Sequence, residues 1–409
     1  MMDETSRHGG DTGTKRVTRR RFVALAGATG TAALAGCPGG TGDGGTGGDG
    51  SDGNSTDGGG SDGSDSMDPT ALANFRGSGP LVEARDPPGG TSITELPDLS
   101  GTLTLYLGGG EGGLYLDLID RFRDVYPDFD VEPQREASAS LANTIIEETR
   151  AGTSPADVFM AVDAGSLGSV ANEDATVALP SEVTDAVPAD LRTDQWVGFA
   201  GRARAVPYNT NEFGESDLPG TVREFPETAA LSGAVGWAPT YSAFQSFVTA
   251  MRLVRGRDAT RQWLLDMQEL GVSEFDNEFF VSNAVADGEI TAGLANHYYA
   301  LRVRNSRPNA PVDLQFTSGD AGALINVSGA AIVEGTDNEQ LAANLIRHFL
   351  SSEAQEFFAT RTFAYPTVPD VAPAGGLPSI DELNPPDVDL TELSDVNPTL
   401  ELLRETDVL

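Results

Sequence analysis

The stretch LTLYLGGGEGGLYLDLIDRF, residues 103–122, decides the fold class. Its first residues have high β propensity and predict a strand, whereas Leu114 and Phe122 belong to an apolar pattern at helical spacing. Between them lies a G-x-G-x-x-G pattern that begins at Gly108. A glycine loop that follows a strand and precedes a helix is typical of α/β proteins, where ligands bind at strand carboxyl ends. The loop is either a dinucleotide-binding element or the lip of another ligand cleft.

Strand and helix patterns continue to alternate along the chain, which predicts an α/β protein with mainly parallel sheets. Further strand candidates are ADVFMAV, GRARAVPYN, GAVGWAP, EITAGLA and GALINVSGAAIV. The segment DATRQWLLDMQELG predicts a helix with Asp258 as N-cap and Gly271 as C-cap. The segment NEQLAANLIRHFLSSEAQEFFA shows one apolar helical face, and the residues beyond Pro366, rich in Pro, Asp and Leu, predict a loosely structured tail.

Charge and composition indicate an environment rather than a reaction. The 409 residues carry 62 acidic and 26 basic side chains, a net charge of −36, and Lys15 is the only lysine. A surface this acidic remains hydrated at high salt, where its self-repulsion is screened, and the composition is typical of halophilic, in particular haloarchaeal, proteins. The same charge disfavours nucleic acid as a partner.

The first 37 residues predict an export signal. Arg19 and Arg20 precede an apolar run of small residues and resemble a twin-arginine motif, and Leu34-Ala35-Gly36-Cys37 resembles a lipobox with Cys37 as the lipidated residue. Residues 38–70, almost wholly Gly, Asp, Ser and Thr at the start, predict a disordered tether. The membrane is therefore expected as a partner only through the lipid anchor.

Four short segments carry candidate chemistry. Tyr298 and Tyr299 follow a strand pattern and could converge at a strand-to-loop turn, where phenolates would suit a hard trivalent cation; packing is the simpler interpretation. Asp163 follows the strand ADVF and suits either a cleft or a helix N-cap, and Glu111 in the glycine loop suits either a ligand or a solvated residue. The segment PTYSAF predicts a helix start that favours an anion or is simply capped.

Motifs for catalysis are scarce, which favours binding over an enzyme. The three histidines are His8, His297 and His348, and none lies in an H-E-x-x-H motif; no P-loop is present. A G-x-S-x-G match at residues 59–63 lies in the tether, without the strand and helix that a nucleophile elbow needs.

These segments, in this order, resemble the ferric-iron-binding proteins of ABC importers. The resemblance runs from Leu103 to Pro366, and its markers are SPADVFMAVDAGSL, WVGFAGRARAVPYNT, ADGEITAGLANHYYALR, GALINVSGAAIV and FAYP. It implies a two-lobed periplasmic-binding-protein-like fold of type II with the ligand cleft between the lobes. It also implies a monomeric receptor with an ABC permease as partner, Fe³⁺ as the transported ligand with a co-bound anion, and no permanent cofactor.

Residue by residue, the resemblance implies that Tyr298 and Tyr299 supply phenolates to iron. Glu111 stands where the family usually has a histidine, and Asp163 stands next to the position where some members have a glutamate. The family's anion-binding element would correspond to Ser242, Ala243 and Asn296, and Tyr241 lies close to a position where certain relatives place another tyrosine.

The resemblance also implies domain boundaries and leaves alternatives open. Lobe 1 is expected over residues 101–205 and 322–366, lobe 2 over 206–321, and a tail packing on the lobes over 367–409, with crossover strands near Ala203–Tyr208 and Phe316–Ile325. One alternative is a receptor for an organic solute of the thiamine, phosphonate or polyamine type. Another is an exported enzyme with Glu111 and Asp163 as an acid–base pair, and a third is a dinucleotide protein with Glu132 as ribose-binding acid.

Overall fold

The computed structural model describes residues 69–83, 85–109 and 112–409. The predicted export signal with Arg19, Arg20 and Cys37, and the loop residue Glu111, lie outside the described residues. Within the described part of the chain, no helix is long and apolar enough to cross a membrane.

The described chain alternates helices and strands as the sequence predicts. The helices are α1 (Pro69–Ala73), α2 (Gly112–Val125), α3 (Ser138–Arg150), α4 (Ala164–Asn172), α5 (Ser181–Thr184), α6 (Ser242–Arg255), α7 (Arg257–Leu270), α8 (Glu278–Asp287), α9 (His297–Ser306), α10 (Glu339–Phe349), α11 (Ser352–Phe357) and α12 (Asn397–Glu405). The strands are β1 (Gly101–Gly108), β2 (Phe129–Glu136), β3 (Val158–Ala161), β4 (Val197–Asn209), β5 (Val235–Trp237), β6 (Ser273–Glu274), β7 (Ala292–Gly293), β8 (Ala295–Asn296), β9 (Val312–Gln315), β10 (Ile325–Ile332) and β11 (Tyr365–Pro366).

Strand β4 is shared by two sheet regions and joins them. Its first half pairs antiparallel with β10, Ala203 opposite Ile325, and β10 continues through β3 and β1 to β2. Its second half pairs with β9, Pro207 opposite Leu314, and through β7 with β5 and β6. The predicted crossover at Ala203–Tyr208 is therefore a strand, whereas the chain between β9 and β10 returns through a loop and a short 3₁₀ turn.

Separate apolar cores surround the two ends of β4 and define two lobes. Lobe 1 buries residues of β1, β3, β4, α2 and α10, among them Leu105, Phe122, Phe159, Phe199 and Phe349. Lobe 2 buries residues of β5, α6 and α7, among them Trp237, Phe244, Phe247 and Trp263, and a neighbouring cluster that includes Val281, Tyr298 and Tyr299. The arrangement is the two-lobed, mixed α/β architecture that the resemblance implies.

The glycine loop at the end of β1 has a packing explanation. A Cβ on Gly108 would lie 2.2 Å from the Ser138 hydroxyl and 3.2 Å from the Met160 carbonyl oxygen. The space beside this glycine is thus filled by the start of α3 and by β3. This close approach accounts for the first glycine of the motif without a dinucleotide.

Several predictions are wrong in detail. The sheets are mixed rather than mainly parallel, since β4 pairs antiparallel with β10 and with β9. Helix α7 has Gly256 as its N-cap, with Asp258 already in the first turn, because the preceding helix ends at the same glycine. The single helix predicted from residue 338 onward is broken at Ser351, whose hydroxyl caps α11. EITAGLA forms only the two-residue strands β7 and β8, and the tail ends in the ordered helix α12.

Candidate functional site

The tyrosine pair lies at the start of a helix. Helix α9 begins at His297, directly after the two-residue strand β8, so Tyr298 and Tyr299 occupy its first turn and not the predicted strand-to-loop turn. Both side chains are buried, with 1% and 6% of their surface exposed, and their ring centroids are 4.4 Å apart. Consecutive residues of a helix diverge by about 100° rather than the 180° of a strand, so adjacent phenols can share one site.

A third phenol joins the pair from the other side of the cluster. Tyr241 is the residue before α6, and its hydroxyl is hydrogen-bonded to that of Tyr299. The two rings meet edge to face with centroids 6.2 Å apart. Sequence comparison with the family leaves Tyr241 out of alignment, but the fold brings it to within hydrogen-bonding distance of a predicted ligand.

Two polar side chains contact these phenols. The guanidinium carbon of Arg302 lies 4.8 Å from the ring centroid of Tyr298 and 5.3 Å from that of Tyr299. The amide of Asn296 donates a hydrogen bond of 3.1 Å to the Tyr298 hydroxyl oxygen. A nearby cation and a donated hydrogen bond both stabilise a phenolate relative to a phenol. Arg302 is absent from the sequence-based candidates, although its i+3 and i+4 spacing from the tyrosines could have identified it.

His297, next to the tyrosines, has a structural role. Its Nε2 donates to the Phe363 carbonyl oxygen at 2.8 Å, and its Nδ1 lies 3.3 Å from the Ala203 amide nitrogen, which can donate to it. Burial lowers the pKa of His297 to about 4, so the ring is neutral at pH 7. Both nitrogens are engaged by backbone, which fixes the start of α9 against β4.

A cleft of about 480 Å³ is lined by residues of both lobes. The three tyrosines are not among its lining residues, but their chain neighbours Ser242 and Asn296 are. Four predicted site residues lie on its wall: Asp163, Ser242, Ala243 and Asn296. The first two residues of α6, Ser242 and Ala243, precede the first intrahelical hydrogen bonds, which Phe244 and Gln245 donate to Tyr241. Their amides are therefore at a helix N-terminus that faces the cleft, a position that favours an anion.

The cleft also contains two arginines that sequence reasoning missed. Arg202 and Arg204 both line it, and Arg204 forms a buried ion pair with Glu278 of α8. The second carboxylate oxygen of Glu278 accepts a hydrogen bond from the Asn296 backbone amide at 2.8 Å. A chain of contacts thus runs from the cleft arginine through Glu278 and Asn296 to the Tyr298 hydroxyl. Within this wall the charge of Arg204 is balanced by that of Glu278.

Asp163 both caps a helix and lines the cleft. Its carboxylate accepts hydrogen bonds from the Ser166 amide at 2.7 Å and the Ser166 hydroxyl at 3.1 Å, as the N-cap of α4. The N-cap interpretation is therefore correct, and a carboxylate retains further lone pairs that can face the cleft. Over the described residues, no group of three or more His, Cys, Asp or Glu side chains could hold a metal.

The fold and this interlobe cleft define a solute-binding protein. The family model described as bacterial extracellular solute-binding protein matches residues 117–383, and the chain belongs to that family. It is 32% identical over 273 residues to the major ferric iron-binding protein of Neisseria meningitidis, over 65% of this chain and 81% of that protein. It is 29% identical over 252 residues to iron uptake protein A2 of Synechocystis, over 56% of this chain and 70% of that protein.

Solved structures show the same likeness. Iron-bound HitA from Pseudomonas aeruginosa matches with a TM-score of 0.66 and 27% identity, over 75% of this chain and 99% of that one. IdiA (FutA) from Trichodesmium, in complex with iron and citrate, matches with a TM-score of 0.63 and 25% identity, again over 75% of this chain and 99% of that one. Both of these structures hold iron, and the two-lobed fold expected from the sequence is confirmed.

Proposed function

We propose that this protein is the extracytoplasmic receptor of an ABC importer for ferric iron. The observation that carries the proposal is the meeting of Tyr241, Tyr298 and Tyr299 beside an interlobe cleft. Phenolate oxygens are hard anionic ligands that suit a trivalent cation, and the cation in turn lowers the pKa of the phenols it binds. The relatives whose names refer to ferric iron or iron uptake support the same ligand.

In this proposal, three phenolates and one or two carboxylates bind the metal. Tyr298 and Tyr299 are the principal ligands, Tyr241 is the third, and Asp163 and Glu111 supply carboxylates from lobe 1. Because the ligands come from both lobes, metal binding stabilises the closed form by hinge motion about β4. The closed form is then the one that the permease recognises.

A co-bound anion is part of the proposed site. The amides of Ser242 and Ala243, the side chain of Asn296 and the cationic Arg202 and Arg204 all line the same cleft. Together they suit an oxyanion such as a carboxylate or phosphate, which would occupy coordination positions that the tyrosines leave open. The cleft of about 480 Å³ has room for such an anion beside an ion.

The export and anchoring elements complete the proposal. Twin-arginine export through Arg19 and Arg20 and lipidation of Cys37 would hold a monomeric receptor at the outer face of the membrane, beside its permease. The acidic, lysine-poor composition suits function in high salt.

The direct test is a visible spectrum of the metal-stripped protein titrated with ferric citrate in high salt. A tyrosinate-to-iron charge-transfer band should appear and be lost or strongly weakened in Tyr298→Phe and Tyr299→Phe. Tyr126→Phe is a matched control, because Tyr126 is a buried phenol in lobe 1 that contacts His348 instead of the cleft. A band that persists in both Tyr298→Phe and Tyr299→Phe would contradict the site, and no band at all would contradict the ligand.

A small organic anion is the second candidate, favoured by the helix N-terminus at Ser242 and Ala243 and by the size of the cleft. A phosphonate-type solute suits this helix N-terminus, whereas a polyamine does not. Titration calorimetry with phosphonates, in a protein that shows no ferric band, separates this candidate from the first.

A further inference from the structure

The C-terminal residues 390–397, which we call the strap, close one side of the ligand cleft. A 3₁₀ helix over Leu390–Ser394 leads into α12, and four strap residues line the cleft. These residues are Leu393, Ser394, Val396 and Asn397. The strap therefore adds a third wall to a site otherwise built from the two lobes.

The strap is attached to lobe 2 by α12. Leu402 and Leu403 are fully buried in the apolar core of that lobe. The hydroxyl of Thr399 is hydrogen-bonded to that of Thr249 at 2.7 Å, and Arg252 donates to the Asp395 carbonyl oxygen at 3.1 Å. Thr249 and Arg252 both belong to α6, so the strap moves with α6 whenever the lobes move.

The other face of the strap lies against helix α4 of lobe 1 at two glycines. A Cβ on Gly168 would lie 2.5 Å from the Thr391 Cβ, and one on Gly165 would lie 2.6 Å from the Ser394 backbone nitrogen. Glycine in a helix interior costs about 1 kcal/mol relative to alanine. The glycines in a helix of only nine residues are explained by this close approach, which no larger residue permits.

We propose that the contact between the strap and α4 is an interlobe latch that holds the cleft closed and retains the ligand. Because the strap is fixed to lobe 2 and α4 belongs to lobe 1, this contact must break when the lobes separate. Any free energy by which this contact stabilises the closed form therefore lowers the rate of ligand release. The ligand used to test it is ferric citrate, so this readout rests on the proposed function.

The test introduces a methyl group between α4 and the strap, and a second substitution then removes the strap side chain with which that methyl group clashes. Gly168→Ala places a Cβ against the side chain of Thr391, and Thr391→Gly removes that side chain, after which the nearest remaining strap atom lies 3.2 Å away. Gly165→Ala meets the backbone of Ser394, so no side-chain change at Ser394 can relieve it. Gly220→Ala is the control, since nothing lies within 4 Å of a Cβ there.

Two readouts are measured in high salt, both on the full chain. The first is the rate at which a competing chelator removes iron from the ferric citrate-loaded protein. The second is the radius of gyration of the ligand-free protein from small-angle scattering, which reports lobe separation whether or not iron binds. Circular dichroism establishes that each variant folds; alanine is the better helix former, so α4 itself should be preserved.

We expect Gly168→Ala and Gly165→Ala to release iron about tenfold faster, equivalent to about 1.4 kcal/mol, and to increase the radius of gyration. Thr391→Gly should reverse both effects of Gly168→Ala, and Ser394→Gly should reverse neither effect of Gly165→Ala. Unchanged release and unchanged radius in both alanine variants would overturn the latch, as would failure of Thr391→Gly to rescue Gly168→Ala. If no ferric band forms, the proposed ligand is wrong and the scattering result alone decides on the latch.

Discussion

The buried ion pair between Arg204 and Glu278 offers a sharp test of how the site is supported. The side chains are 4% and 0% exposed, and the Glu278 carboxylate also accepts the Asn296 backbone amide at 2.8 Å. Glu278→Gln keeps the size of the side chain but removes its charge. It leaves the Arg204 cation buried without a counter-charge, beside the ring of Phe247 at 5.2 Å.

The magnitude follows from the burial of both partners. Removing one member of a buried ion pair costs about 3–5 kcal/mol, because the remaining charge has lost its compensation. With an unfolding entropy of about 2.1 cal/mol/K per residue over ~340 folded residues, this is a fall in melting temperature of about 4–7 °C. High salt should not abolish the loss, since a buried pair is screened much less than an exposed one.

The assay is thermal unfolding in high salt, with Glu173→Gln as the matched control. Glu173 pairs with Arg150 at the surface, where the side chains are 48% and 62% exposed, so its loss should cost less than about 1 kcal/mol. The double variant Arg204→Gln/Glu278→Gln should lose less stability than the sum of the single variants. Equal melting temperatures for Glu278→Gln and Glu173→Gln would refute the reasoning.

Three further predictions concern titration and the metal site. Burial lowers the pKa of His348 from 6.5 to about 4, so between these pH values the unfolded chain binds more protons than the folded protein. Protonation of His348 therefore costs no stability above pH 6.5 and progressively lowers the free energy of unfolding as the pH falls toward 4. His348→Gln should therefore flatten the pH dependence of unfolding free energy by up to about 3 kcal/mol between pH 7 and 4, and an unchanged slope would count against it. Ferric affinity should fall in mild acid because the ligands are protonated, and retained affinity at low pH would contradict the phenolate site. Arg302→Gln should weaken ferric affinity by a further factor of about 2–30, because the cation over the Tyr298 ring is lost. The same substitution should move the pH midpoint of ferric binding upward. Tyr241→Phe should shift the charge-transfer band and weaken affinity without abolishing either, as a third ligand would; an identical spectrum would exclude it.

The sequence predicts the framework well because local signals and tertiary structure agree there. Strands β3 and β10 lie within predicted strand segments, β1 and β4 extend beyond theirs, and the first glycine of the loop comes where β1 ends. These strands depend on periodicity and neighbouring residues alone. For Tyr298–Tyr299 the local pattern favours packing, and only the resemblance to ferric-iron-binding proteins implies a ligand role.

The start of α9 shows where local signals fail. The segment NHYYALRV contains Tyr and Val, which favour strands, yet it forms a helix from His297 onward. Backbone contacts of the His297 ring with Ala203 and Phe363, which are far away in sequence, fix that helix start. Tertiary contacts thus override a weak local preference.

The assembly of the site also depends on distant residues. Tyr241 meets Tyr299 across 58 positions, and Arg204 meets Glu278 across 74. Neither pair shares a helix or a strand, so no spacing rule can predict the contact. The position of the strap also depends on distant residues, because α12, which follows it, is buried in the core of lobe 2. The composition of the strap itself predicts only a loosely structured tail.

The most direct measurement of the central claim is anomalous diffraction at the iron edge from crystals of the ferric citrate-loaded protein. A single peak bounded by the hydroxyl oxygens of Tyr241, Tyr298 and Tyr299, with an anion at the start of α6, is the result we predict. Iron elsewhere on the surface, or a cleft filled by an organic molecule with no iron at the tyrosines, would contradict it.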